Sequence, residues 1–270
     1  MNIAQALNLC GEPDSYERQE AIWLLEHIVG IGALELKFRS QQDLTEAQAE
    51  QYQSALQRLA QGEPLAYVMG SQPFWTLDLK VTADTLVPRP DTEVLVETVL
   101  NLDLPKQCSM VDLGTGTGAI ALALASERPD WQVLATDIYL PTLQVAQENA
   151  QRHHLQQVKF ACGAWFEAIP AQKFDLIVSN PPYIDPDDEH MAQLGAEPLR
   201  ALVASEHGLA DLQTIIQQAS DWLHPQGWVV LEHGYDQGAA VRELFAQAGF
   251  HQIRTVQDYG HNDRVTLAQR

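Results

Sequence analysis

The chain has 270 residues, 46% apolar and 19% charged, which is enough for one or two globular domains and excludes disordered, collagen-like and coiled-coil proteins. Sixteen Lys and Arg stand against 36 Asp and Glu, a net charge of −20. Such a surface repels phosphate backbones, but it is compatible with a locally basic protein partner or a small acidic ligand held by backbone N–H groups.

Helix signals dominate before residue 85. Asp14 and Ser15 can cap a helix carrying Ala21, Ile22, Leu24, Leu25, Ile28 and Val29, with Gly30 and Gly32 as its stop. Thr45 and Gln48 have the form of a capping box, and Tyr52, Ala55, Leu56 and Leu59 follow at helical spacing up to Gly62. From Phe74 to Val81 the pattern alternates, with Phe74, Thr76 and Asp78 set against Trp75, Leu77, Leu79 and Val81, which predicts a β-hairpin or short strand pair.

After residue 85 strands and helices alternate. Strands are expected at Met110–Leu113, Gln132–Thr136, Val158–Ala161, Phe174–Val178 and Trp228–Leu231. Helices are expected at Ala119–Glu127, Leu143–Arg152, Leu209–Leu223 and Gln237–Ala248. Ile253–Val256 and Arg264–Leu267 close the chain as a hairpin around Asp258–Asp263. The rhythm predicts a mostly parallel sheet covered on both faces, with an antiparallel edge.

Cys10, Cys108 and Cys162 are far apart and form no CxxC, so a disulfide framework and a zinc site are unsupported and a reducing cytoplasm is expected. Met1 to Glu12 carries no Lys or Arg, and no apolar run approaches membrane-span length, so neither a signal peptide nor a membrane segment is expected. The histidines at 153, 154, 190, 207, 224, 233, 251 and 261 show no metal-ligand spacing with a carboxylate or Cys, and no metal is expected.

Two segments carry chemistry. Asp112-Leu-Gly-Thr-Gly-Thr-Gly118 lies between a strand and a helix, where glycines permit a tight turn and close ligand approach, and where the helix start offers free N–H groups. The spacing is G-x-G-x-G, not the G-x-G-x-x-G of dinucleotide loops, and the Gly-Lys-Ser/Thr of a P-loop is absent. Asp137 ends the next strand nineteen positions after Gly118, where a carboxylate can accept both ribose hydroxyls of an adenosine. The pattern resembles the nucleoside-binding half of class I S-adenosylmethionine-dependent methyltransferases.

The second segment is Phe174-Asp-Leu-Ile-Val-Ser-Asn-Pro-Pro-Tyr183. A buried strand runs into two prolines, which fix φ, remove N–H donors and leave carbonyls facing outward. Asn180 adds a directed acceptor and Tyr183 an aromatic face. Together they suit a planar NH₂ group, its hydrogens bonded by Asn180 Oδ1 and the Pro181 carbonyl, and its nitrogen aimed at a methyl donor.

With these motifs in order, the chain resembles the bacterial peptide chain release factor glutamine N5-methyltransferases, the HemK/PrmC family. Glu63–Gly70 with Phe74-Trp75, Leu86-Val-Pro-Arg-Pro-Asp-Thr-Glu93, Glu197-Pro198 with Ala201-Leu202, and Leu231-Glu-His-Gly234 extend the likeness over nearly the whole chain. The resemblance implies a seven-stranded Rossmann-like α/β methyltransferase domain over 86–270, an N-terminal helical bundle over 1–72 that helps dock the substrate, and a β-hairpin linker over 73–85. It implies S-adenosylmethionine, with S-adenosylhomocysteine as product, held at Gly114, Thr115, Gly116, Thr117, Gly118, Asp137, Trp165 and Asn180. Catalysis and the acceptor glutamine fall to Asn180, Pro181, Pro182 and Tyr183. The implied substrate is the Gly-Gly-Gln glutamine of class 1 release factors, handled by a cytoplasmic monomer that contacts neither nucleic acid nor membrane directly.

One departure from the family pattern is Ala164 before Trp165, where an acidic residue is common; here a backbone group would have to meet the adenine amine. Arg89 and Glu93 read either as ligand contacts or as surface and helix-start charges. Three other readings remain open. A glutamine methyltransferase of a ribosomal protein shares the active-site motif. A DNA adenine or cytosine methyltransferase does too, but residues 1–85 carry a net −7 (5 basic, 12 acidic) and 86–270 a net −13 (11 basic, 24 acidic), with no basic stripe. A non-catalytic binding module would be free to lose the intact motifs.

Overall fold

The computed structural model describes every residue except Cys10, Pro13 and 189–195. Cys10 and His190 therefore lie outside the described residues. Two compact units divide the chain, Met1–Ser71 and Gln72–Arg270.

The first unit is helical: α1 (Ile3–Leu7), α2 (Tyr16–Val29), α3 (Ala33–Phe38), α4 (Glu46–Ala60) and α5 (Leu65–Met69). Ser15 caps α2 by accepting from Arg18 N, Gly30 closes it in the left-handed region, and Thr45 with Gln48 forms the expected capping box on α4. Ile3, Leu24, Leu25, Leu36 and Tyr52 build its core.

The second unit opens with a hairpin, β1 (Ser71–Phe74) and β2 (Leu77–Lys80), of which Ser71 belongs to the first unit. Its turn falls at Trp75-Thr76, with Trp75 at φ 55°. The turn breaks the sequence alternation, so Phe74 joins Leu77, Leu79 and Val81 on the buried side instead of opposing them. After a 3-10 turn over Pro90–Thr92 comes α6 (Glu93–Leu100), then β3 (Ser109–Leu113), α7 (Ala119–Glu127), β4 (Gln132–Asp137), α8 (Leu140–Arg152), β5 (Lys159–Cys162) and β6 (Phe174–Ser179). The chain continues through the short α9 (Ser205–Gly208), α10 (Ala210–Trp222), β7 (Leu223–Glu232), α11 (Gly238–Gln247), β8 (His251–Gln257) and β9 (Asp263–Gln269).

Strand order in the seven-stranded sheet is β5-β4-β3-β6-β7-β9-β8. β9 runs antiparallel between β7 and β8, while the β3, β4, β5, β6 and β7 pairings are parallel. Alternate residues feed opposite cores: Met110, Leu176, Val178 and Val230 meet α6 and α7, whereas Val111, Ile177, Val229 and Leu231 meet α10 and α11. Burial on both faces explains why the central strands read as continuous apolar runs.

The topology decides where a ligand can bind. The chain leaves β3 towards β4 and β5 on one side, then crosses to β6 on the other. The crevice at this switch point, beyond the carboxyl ends of β3 and β6, is the usual ligand site of open α/β sheets. Leu113 and Ser179 pair in register there, and Ser179 Oγ donates to Leu113 O at 2.6 Å. The residues that follow, Gly114 and Asn180, start the two sequence motifs.

Candidate active site

A cavity of about 270 Å³ opens at this switch point. Gly114, Thr115, Gly116 and Thr117 line it, with Asp137, Ala164, Trp165, Asn180 and Pro182. A smaller cavity of about 90 Å³ is lined by Pro181, Tyr183 and Glu232, and shares Leu86, Arg89, Asn180 and Ala201 with the larger one.

The glycine loop is built by backbone geometry. Gly114, Gly116 and Gly118 have φ of 71°, 58° and 85°, a region that side-chain-bearing residues avoid. Thr115 N donates to Thr136 O at 2.8 Å, and Gly118 N to Thr115 O at 2.8 Å. Among the described residues, no atom outside Gly116 and its chain neighbours lies within 4 Å of where a Gly116 Cβ would stand, so the space over the loop is open. Gly118 differs: it is off the cavity wall, and a Cβ there would stand 2.9 Å from Leu122 and 3.3 Å from Ala146. Its demand is packing of loop against helix, not ligand approach.

Asp137 does two things in this structure. Oδ2 accepts from Gly116 N at 3.1 Å and Oδ1 from Tyr139 N at 2.9 Å, so the carboxylate pins both the glycine loop and the backbone that leads into α8. Each oxygen retains a lone pair for a further donor. Burial raises its pKa, while the Tyr139 and Gly116 N–H groups and the Arg200 charge act against that rise. Arg200 stacks over the Tyr139 ring at 4.5 Å and donates to Asp84 O at 3.0 Å. Beneath the loop, Asp112 Oδ2 accepts from Thr115 Oγ1 at 2.6 Å, and burial pushes the carboxyl up to about 7.

Trp165 adopts φ 45°, and its indole comes within 3.4 Å of the Gly114 Cβ position. Open glycine backbone, a flanking aromatic ring and a carboxylate at the next strand end fit an adenosine-bearing ligand. Ala164 offers no side-chain acceptor, as expected from sequence.

The Asn-Pro-Pro-Tyr segment is held from behind. Tyr183 N and Ile184 N both donate to Leu202 O, at 3.2 and 2.9 Å, and Gln237 Nε2 donates to Tyr183 O at 2.9 Å. Asn180 Nδ2 donates to Thr92 Oγ1 at 3.2 Å, and Tyr183 OH donates to Glu232 Oε1 at 3.1 Å. Burial raises the Tyr183 phenol, and the Glu232 charge adds to it. Burial likewise pushes Glu232 up to about 7, against the pull of the Thr92 and Tyr183 hydroxyls.

Arg89 lines both cavities and is ion-paired with Glu197, whose Oε2 accepts from Val87 N at 3.0 Å. Glu93 lines neither; its Oε1 accepts from Trp75 N at 2.7 Å, holding the hairpin turn. Sequence reading assigned no role to Thr92 or Glu232. The available signal was a charge closing the apolar run Trp228–Leu231 and a Thr within the Pro-Arg-Pro-Asp-Thr-Glu segment. Among the described residues no group of three or more His, Cys, Asp or Glu could hold a metal ion, and no helix is long and apolar enough to cross a membrane.

Fold and site together define a class I S-adenosylmethionine-dependent methyltransferase, and a methyltransferase-domain family model matches residues 104–267. A model of the PrmC N-terminal domain matches residues 3–70. The release factor glutamine methyltransferase of Salmonella typhimurium is 46% identical over 99% of this chain and 97% of its own. That of Escherichia coli is 47% identical over 93% and 92%. A methyltransferase crystal structure from Pyrococcus furiosus shares the fold, with a TM-score of 0.57 at 18% identity over 80% of this chain and 98% of its own. The chain belongs to the release factor glutamine methyltransferase family.

Proposed function

We propose that this protein transfers a methyl group from S-adenosylmethionine to the side-chain amide nitrogen of the glutamine in the Gly-Gly-Gln motif of class 1 release factors. The observation that carries the reading is Asn180: its nitrogen donates to Thr92, and its Oδ1, without a hydrogen-bond partner among the described residues, is an acceptor on the wall shared by the two cavities. The relatives' names supply the substrate class.

The larger cavity takes S-adenosylmethionine, with Gly114–Thr117 under it, Trp165 beside its adenine and Asp137 accepting from its ribose. Bound there, the donor supplies an electrophilic methyl on a sulfonium. The smaller cavity receives the glutamine side chain. Asn180 Oδ1 and the Pro181 carbonyl each accept one amide hydrogen, Pro182 keeps the segment rigid, and the Tyr183 ring covers the chain beyond. An amide nitrogen is a poor nucleophile because its lone pair is delocalised. Two fixed acceptors favour a pyramidal nitrogen and stabilise the positive charge that develops on it. Holding it in line with the methyl supplies much of the remaining acceleration.

Residues 1–72 are assigned to docking of the protein substrate, 73–85 to the hairpin linker and 86–270 to catalysis. The match of residues 3–70 to the PrmC N-terminal domain and the exposed Tyr16, Leu34 and Phe38 support the first assignment. The reading includes a cytoplasmic monomer without direct nucleic-acid contact, and the net charge of −20 supports the last point.

Methyl transfer from labelled S-adenosylmethionine to a purified class 1 release factor tests the reading, with a Gly-Gly-Ala variant as control and ribosomal proteins and DNA as competing acceptors. Label is expected on the wild-type release factor alone. Label on either competitor, or on the Gly-Gly-Ala control, contradicts it.

A further inference from the structure

We infer that Arg89, fixed by the buried Glu197, is a substrate-binding residue: its guanidinium donates to the side-chain carbonyl oxygen of the acceptor glutamine. The inference rests on the functional reading above and completes the recognition of the same carboxamide.

A carboxamide has two ends of nearly equal shape and opposite hydrogen-bonding character. The acceptors Asn180 Oδ1 and Pro181 O serve only the NH₂ end of the substrate. Its oxygen leaves water on entering the cavity and needs a donor there, or its desolvation goes uncompensated. A donor at that end also sets the flip, because a reversed carboxamide would turn its oxygen to the two acceptors and its NH₂ to the donor.

The smaller cavity has few donors to give. Of the side chains on its wall, Asn180 Nδ2 is given to Thr92 and Tyr183 OH to Glu232. Glu232 accepts through Oε1, and its Oε2 is enclosed by protein. Tyr183 N and Ile184 N both donate to Leu202 O. Arg89 is the exception. A guanidinium carries five N–H donors in a planar fork. Among the described residues only Nη2 has a partner, Glu197 Oε1, which leaves Nε and Nη1 uncommitted. Arg89 shares the wall between the two cavities with Asn180.

The surroundings hold this donor in place. The Glu197 side chain is 5% exposed, against 42% for that of Arg89. Glu197 Oε2 accepts from Val87 N at 3.0 Å, so the carboxylate is anchored to the same strand of chain that carries Arg89. Pro88 and Pro90 flank Arg89, whose backbone is extended at φ −99° and ψ 146°. One end of the fork is thereby tied to protein. The paired charge suits a neutral carbonyl; a ligand carboxylate would have to share the guanidinium with Glu197.

The contact acts on binding more than on the chemical step. The amide oxygen is most negative in the planar ground state, where it holds density delocalised from nitrogen. As the nitrogen lone pair passes to the methyl group, that density is withdrawn. A hydrogen bond to the oxygen therefore gains nothing in the transition state, and its loss is read in Kd and KM.

A double-mutant cycle between enzyme and substrate tests this. Arg89→Met keeps the aliphatic stem and removes the donors. Arg89→Met combined with Glu197→Gln also removes the carboxylate that would otherwise stay buried and unpaired, and it decides the matter if the single variant fails to fold. Binding of a Gly-Gly-Gln release factor and of its Gly-Gly-Ala variant is measured by calorimetry with S-adenosylhomocysteine present. Steady-state transfer and S-adenosylhomocysteine affinity are measured alongside. Loss of Arg89 should weaken binding of the Gly-Gly-Gln protein about tenfold or more, the scale of one hydrogen bond from a charged group. Binding of the Gly-Gly-Ala protein should weaken by less than about twofold, KM should rise by more than kcat falls, and cofactor Kd should stay within about threefold. Equal weakening towards both release factors would overturn the inference, because Arg89 would then serve docking or the fold and not the glutamine. A tenfold rise in cofactor Kd with KM unchanged would overturn it too and give Arg89 to the cofactor carboxylate. No transfer by the wild-type protein would instead overturn the functional reading and this inference with it.

Discussion

The two halves of the active site sit side by side at the ends of β3 and β6 but are built from different materials. The glycine-loop half is backbone: three positive-φ glycines and N–H groups pinned by Asp137, all from one βαβ stretch. The Asn180–Tyr183 half is side chains on a stiff proline segment, oriented by Thr92, Glu232 and Gln237 from distant parts of the chain. A half that only has to bind can rely on main-chain geometry. A half that must stabilise a transition state needs acceptors fixed in direction, and buried partners supply that fixity.

If the halves divide the work in this way, substitutions should separate them. Asn180→Ala should reduce transfer by at least ~100-fold, the scale of a lost transition-state acceptor, while S-adenosylhomocysteine affinity measured by calorimetry changes little. Asp137→Ala should show the converse: Kd for the cofactor rises by about tenfold or more as ribose acceptors and the loop anchor are lost, and kcat at saturating cofactor is largely kept. Equal losses of both quantities in both variants would break the comparison.

Gly118→Val probes the loop's packing rather than its ligand. A β-branched residue at φ 85°, with Leu122 2.9 Å from its Cβ, should destabilise the fold by roughly 2 kcal/mol or more in denaturant unfolding. Gly116, with open space above it, should tolerate Ala at a smaller stability cost but with weaker cofactor binding.

The smallest expected effect is on pH dependence. Glu232 is raised from 4.5 to about 7 in the folded protein by burial. A raised carboxyl contributes stability that is fully present below about pH 4.5 and is lost as pH rises through about 7. Asp112, raised from 3.8 to about 7, acts with the same sign. Thermal unfolding of Glu232→Gln should therefore show a shallower decline between pH 4.5 and 7 than wild type, reduced but not abolished because Asp112 remains. An unchanged slope would mean that Glu232 ionises normally.

What could be read from sequence follows the same division. The glycine loop, Asp137 and the strand–helix rhythm are local patterns, and α7 lies at Ala119–Glu127 as its composition implied. The Asn-Pro-Pro-Tyr segment was legible as an exit from the sheet. Its supports were not, because Thr92 lies 88 positions from Asn180 and Glu232 lies 49 from Tyr183. Only the sheet brings them together. Beyond Glu93 as a possible helix-start charge, the sequence marks nothing of α6, because Val94, Leu95, Val96 and Val99 are buried almost all round, leaving no amphipathic stripe. Phe74 was placed on the wrong side of its alternation because a two-residue turn at Trp75-Thr76 resets the period. Trp165 was legible as a residue but not in its left-handed conformation, which sets the indole against Gly114.

The most direct test of the central claim is fragmentation mass spectrometry of a release factor methylated by this protein. The account predicts a single methyl group on the side-chain nitrogen of the Gly-Gly-Gln glutamine, and none when Asn180→Ala is the enzyme. A methyl group on any other residue, or full methylation by Asn180→Ala, would contradict it.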